Sequence, residues 1–121
     1  MISFEWVEPD YTGGGIFVFY GKVENGDYFI ADDSEYDIRF VSEDPTAIMD
    51  SDTFGGSYCG DSVEWQDEHI VRDISSSQEA LEFWKAMLNW CIRNNPDGNY
   101  SASDLKDELA DVTSVAQKEN W

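Results

Sequence analysis

Ile16-Phe17-Val18-Phe19-Tyr20-Gly21-Lys22-Val23, then Glu24-Asn25-Gly26-Asp27, then Tyr28-Phe29-Ile30-Ala31 is the stretch whose reading decides the fold. The first run is rich in β-branched and aromatic side chains, which suit a pleated, half-buried surface. Asn-Gly between two apolar runs is the strongest short-range hairpin signal, because the tight turn asks for positive φ at both central positions. Tyr28–Ala31 is then the return strand. Asp32-Asp33-Ser34-Glu35 makes a second turn. Beyond it Tyr36, Ile38 and Phe40 alternate with Asp37, Arg39 and Val41, a third strand with one apolar face.

Toward the N-terminus, Ile2, Phe4 and Trp6 alternate with Ser3 and Glu5 and predict a short strand ended by Glu8-Pro9-Asp10. Thr12-Gly13-Gly14-Gly15 reads as a plain loop, since it lacks the Lys-Ser/Thr of a phosphate-binding loop. Toward the C-terminus, Asp44-Pro45 predicts a helix start and Thr46–Met49 one helical turn, followed by a loop over Asp50–Asp61. Val63 and Trp65, then Ile70, Val71 and Ile74, suggest one or two more strands. Ser76-Ser77-Gln78-Glu79 reads as a capping box. The helix it opens carries Ala80, Trp84, Met87, Leu88 and Cys91 on one face, widened by Leu81, Phe83, Trp90 and Ile92. Asn94 to Gly98 breaks that helix, Ser101 with Asp104 caps a second, and Leu105, Leu109, Val112 and Ala116 follow at helical spacing.

Strands first and helices last predict an α+β fold: an antiparallel β-meander sheet of about five strands, packed on one face by two C-terminal helices. The other sheet face is expected to be free to meet water or a partner. The 121 residues fit a single domain over 1–121.

Charge is the second signal. The chain carries −19 at neutral pH, and Glu24 to Asp73 alone holds fifteen carboxylates against Arg39 and Arg72, a net of −13. Aromatic residues make up 15% of the chain, which excludes a disordered acidic tail. A folded domain destabilised by its own self-repulsion either gains solubility from the charge or uses it toward a partner. Nucleic acid and anionic membrane are excluded as direct partners by sign, and basic proteins or multivalent cations are favoured. Met1-Ile2-Ser3-Phe4-Glu5 lacks the basic start and apolar run of a secretory signal, and no stretch approaches membrane-spanning length. The chain is therefore expected in the cytoplasm, with Cys59 and Cys91 reduced.

Catalytic signatures are weak. His69 is the single histidine, and neither a Ser-His nor a Cys-His pattern surrounds it. Asp67-Glu68-His69 lacks the helical His pair or cysteine neighbours of a metal site. Cys59 has Asp61 beside it, which raises rather than lowers a thiol pKa. Asn95 to Asp104 imitates part of a calcium loop, but Arg93 occupies the position where calcium needs a carboxylate. The sequence thus predicts no enzyme, no catalytic residue, no metal site and no cofactor.

Carboxylates two apart on a strand lie roughly 6.6 Å apart, and those three or four apart on a helix about 5–6 Å, both close to the phosphate spacing of a nucleic-acid strand. Asp33, Glu35 and Asp37 fit the first pattern, and Asp104, Glu108 and Asp111 the second. The expectation is a small acidic inhibitor protein that covers the basic nucleic-acid-binding surface of a nuclease, restriction enzyme or CRISPR-type effector, in an anti-defence or toxin-immunity role. Its partner-binding residues would be Asp32, Asp33, Glu35, Asp37, Glu43 and Asp44, with Tyr36 or Tyr58 as exposed aromatic anchors. A calcium- or magnesium-dependent binding module, using Asp50–Asp61 or Asn95–Asp104, is the alternative, and an uncharacterised enzyme is the third reading.

Overall fold

Among the described residues, five strands in the order β1-β2-β3-β4-β5, every neighbouring pair antiparallel, form the meander the sequence predicts, and two helices follow it. They are β1 (Phe4–Tyr11), β2 (Phe17–Val23), β3 (Tyr28–Asp32), β4 (Asp37–Val41), β5 (Ile70–Ile74), α1 (Gln78–Asn94) and α2 (Ala102–Glu119). The structure, a computed structural model, describes residues 2–11, 17–45, 70–94 and 101–121. The expected glycine loop at 13–15, helical turn at 46–49, loop at 50–61 and strand residues Val63 and Trp65 lie outside the described residues, as do Tyr58, Cys59, His69 and the turn from Asn95 to Gly98.

The β2–β3 hairpin forms where Asn-Gly predicts it, with a different turn. Only Gly26 has positive φ, at 106°, and the Val23 N–H bonds to Asp27 O at 2.8 Å while the Gly26 N–H bonds to Val23 O at 2.9 Å. This is a three-residue loop with glycine in the left-handed position, rather than a two-residue turn with two positive φ values. The Asn25 side chain accepts from the Asp27 N–H at 2.9 Å and holds the loop closed.

Strand β1 continues through Pro9 to Tyr11, beyond its expected end at Glu8-Pro9-Asp10. Proline is tolerated because β1 is an edge strand, where a missing N–H need not cost a ladder bond. A register shift between Phe4 and Trp6 also breaks the expected alternation. One extra residue reverses which face the side chains take. Phe4 and Val7 therefore both enter the helix-side core, while Trp6 packs edge-on against Tyr20 at 6.2 Å. Gly21 allows β1 to lie this close, since a Cβ there would collide with the Trp6 carbonyl oxygen.

The core lies between the sheet and α1. Ala80, Trp84, Met87, Leu88 and Cys91 are fully buried, as the helical spacing predicts, and Phe83 joins them. Phe83 is the hub of edge-to-face contacts with Phe4, Phe29 and Phe40, at centroid distances of 5.3, 5.0 and 5.7 Å. The N-cap of α1 is Ser77, whose Oγ accepts from the Ala80 N–H at 3.1 Å; Glu79 does not close a box but pairs with Arg72 at 3.2 Å. The Ser101–Asp104 box of α2 has both arms.

The face opposite the helices is not the free surface the sequence suggests. Val18, Ile30 and Val41 lie there on three adjacent strands and are buried, at 0, 1 and 6% exposure. Trp6, Tyr20 and Tyr28 around them are half-buried, and Lys22 lies over the Tyr28 ring at 5.3 Å.

Candidate acidic interface at the β3–β4 turn

The expected site residues cluster at the turn between β3 and β4, and the structure divides them by role. Asp32 ends β3 opposite Asp37, which begins β4. It is 8% exposed, and its Oδ1 accepts from the backbone N–H and hydroxyl of Ser34, which closes the turn. Its other oxygen pairs with Arg39 at 3.2 Å. Arg39 also reaches Asp37 at 3.7 Å and Asp73 at 3.6 Å, so among the described residues one guanidinium serves carboxylates of β3, β4 and β5. The charge remains in excess: burial pushes the Asp37 carboxyl above its ordinary range, Arg39 pulls it back in part, and Asp32, Glu35 and Asp73 push it further up.

Asp33 faces inward. Its Oδ1 accepts from the Phe17 N–H at 2.9 Å while its own N–H bonds to Phe17 O at 3.1 Å, a two-way link to the start of β2. It also hydrogen-bonds the Glu108 carboxyl on α2. A bond between two carboxyl groups needs one proton. That proton belongs to Glu108, whose pKa is pushed up to about 8, chiefly by burial, then by this bond and the charges of Asp33 and Asp111. Glu108 is 9% exposed and its Oε1 is buried without a hydrogen-bond partner among the described residues.

Tyr36 is not the exposed anchor the sequence suggests. It adopts left-handed backbone, φ 59°, and its carbonyl accepts from the Trp84 indole N–H at 2.8 Å. Its ring is half-buried, edge-on to Trp84 at 5.2 Å and near Trp121 at 6.4 Å. Burial, then the charges of Glu108, Asp111 and Asp33, push its phenol well above the usual tyrosine range. Glu35, Glu43 and Asp44 are exposed.

Neither predicted row of carboxylates exists as such. Asp33 points to α2, Glu35 to water and Asp37 to Arg39, so the strand row is dispersed. Glu108 is withdrawn from the helix row, and Asp104 is engaged in the α2 cap, receiving the Ser101 N–H at 3.3 Å. What the turn does form is one wall of a groove of about 530 Å3. Glu35, Tyr36 and Asp37 line it from the turn, Ser76 from the connection before α1, and Glu119 and Trp121 from the end of α2. The Trp121 indole nitrogen has no hydrogen-bond partner among the described residues. Sequence reasoning missed Glu119 and Trp121, which are remote from the turn in sequence and reach it only because α2 returns along the sheet.

Among the described residues, no group of three or more histidine, cysteine or acidic side chains is placed to hold a metal ion. The Asp50–Asp61 loop of the cation-dependent alternative lies outside the described residues. No described helix is long and apolar enough to cross a membrane. The chain matches no protein-family model, no curated protein and no solved structure.

Proposed function

We propose that the protein is an acidic inhibitor that binds the basic nucleic-acid-binding surface of a nuclease or related effector and excludes the nucleic acid. The observation that carries this reading is the imbalance of charge on a folded scaffold. The chain has 26 acidic and 7 basic residues, and the ion pairs at Lys22, Arg39 and Arg72 each tie basic charge to neighbouring carboxylates. Exposed carboxylates are present on the β2–β3 turn (Glu24, Asp27), after β4 (Glu43, Asp44) and along α2 (Asp107, Asp111, Glu119). Such a surface competes for Lys- and Arg-lined grooves by the electrostatics that bind nucleic acid there. The contact residues in this reading are Glu35, Asp37, Glu43 and Asp44, with Asp32 and Asp33 acting from inside the turn to hold it.

The test is competition. A basic partner recovered at low salt is mixed with labelled DNA or RNA and titrated with the protein. Displacement that weakens steeply between about 50 and 500 mM salt supports occlusion of a phosphate-binding surface. A ternary complex, or displacement indifferent to salt, rejects it.

A further inference from the structure

The groove at the β3–β4 turn combines acidic side chains with an aromatic wall. Tyr36 and Trp121 supply the wall, and Glu35, Asp37 and Glu119 the charge; no basic side chain lines it among the described residues. The three non-glycine residues with positive φ among the described residues are Tyr36, Ser76 and Asn120, all in or next to this lining. Sparsely populated backbone of this kind gathers at binding sites, where the surrounding structure holds it.

The molecule contains its own example of what such a lining accepts. At the opposite end of β4, the Arg72 guanidinium lies over the Phe40 ring, 4.8 Å from its centroid, and pairs with Glu79 at 3.2 Å. There aromatic face, carboxylate and guanidinium complete one another. At Tyr36 the first two are present and the lining holds no guanidinium. Asp37 already shares Arg39, which leaves Glu35 and Glu119, both exposed, as the carboxylates that face the groove.

We propose that this groove seats an arginine side chain of the basic partner, with its guanidinium against the Tyr36–Trp121 wall and between Glu35 and Glu119. The inference rests on the inhibitor reading for the nature of the partner, and on the groove for the place. Arginine is favoured over lysine because a planar guanidinium stacks on rings and bonds carboxylates in a fork, whereas an ammonium is a compact, strongly hydrated charge. The groove volume is within the roughly 300–1,000 Å3 of ligand pockets, so the flanking residues of a short segment fit as well.

The experiment is an NMR titration of the intact protein with a short capped peptide bearing one arginine, and with its lysine counterpart. The indole signal of Trp121 is identified by its loss in Trp121→Phe. The arginine peptide is expected to shift that signal and to bind more tightly than the lysine peptide. Glu35→Gln with Glu119→Gln is expected to weaken binding by about five-fold or more, and Glu82→Gln with Asp107→Asn, exposed and outside the groove, by less than about two-fold, although both pairs change the net charge equally. All four positions are exposed, and Glu119 is in the last turn of α2, where a negative charge opposes the helix dipole, so these variants keep the fold. An unmoved Trp121 signal, tighter lysine binding, or equal weakening by both pairs overturns the groove. The same variants in the nucleic-acid competition assay separate the two readings. Competition that survives Glu35→Gln with Glu119→Gln removes the groove and leaves the inhibitor, whereas absence of competition by the unaltered protein removes the inhibitor and leaves the groove to the peptide titration.

Discussion

Glu108 satisfies two spacing patterns at once, and only packing chooses between them. Residues three or four apart share a helix side, which groups Asp104, Glu108 and Asp111 but equally Leu105, Glu108 and Val112. The second grouping is the buried one. Folding therefore protonates Glu108, whose folded pKa of about 8 lies above its ordinary 4.5. A raised pKa contributes stability that is complete below the ordinary value and is lost as pH climbs through about 8. The burial-raised Asp37 acts with the same sign. The loss is at most about 1.4 kcal/mol per pH unit and smaller where solvent screens the pair. Glu108→Gln keeps a neutral donor toward Asp33 at every pH. It is expected to melt with the unaltered protein near pH 5 and above it near pH 8; parallel melting curves across that range would refute the assignment of the proton. Asp32 makes a second argument at this scale. Its place among the acidic residues of the turn groups it, in sequence, with the expected partner-binding carboxylates. Buried against Arg39 and Ser34, it is instead a structural residue. Asp32→Asn is expected to cost on the order of 1–3 kcal/mol in denaturant unfolding, since Arg39 loses its ion pair at 3.2 Å. A cost near zero would return Asp32 to the surface set.

At the scale of elements, the hairpin and the apolar face of α1 were legible because each depends on local pattern. Asn-Gly marks a reversal whichever turn type closes it, and one stripe at helical spacing needs only something apolar to cover it. Trp84 on that stripe is fully buried, edge-on to Phe19 at 5.6 Å and to Tyr36. Trp84→Ala is expected to destabilise by about 3–5 kcal/mol through lost burial and a cavity. It also takes the donor from the Tyr36 carbonyl and with it a support of the left-handed turn. A change under about 1 kcal/mol would show the helix face to be wrongly placed. The register of β1 was not legible, because a one-residue bulge leaves composition untouched while moving Val7 inward and Trp6 out.

For the whole molecule, −19 acts with opposite signs on stability and on association. Self-repulsion weakens the compact state, so screening it relieves the fold, while the same screening weakens attraction to a basic partner. Raising salt from about 50 to 500 mM is expected to raise the melting temperature while lowering partner affinity. Both quantities moving together would show that the charge is balanced locally, in ion pairs such as those of Arg39, rather than carried as a global excess.

The sequence by itself determined the order and type of the described elements, the meander, the helix stripes and the sign of the protein's own charge, because alternation, helical period, turn chemistry and net charge are sums over neighbours along the chain. Tertiary structure alone decided which carboxylates are surface. Asp32 and Asp33 became internal because Arg39, Phe17 and Glu108 arrive from other elements to meet them. It alone buried Val18 and Ile30 on the face that reads as open. And it alone brought Trp121 and Glu119 beside Tyr36, across more than eighty residues of chain, since a groove exists only where separate elements meet.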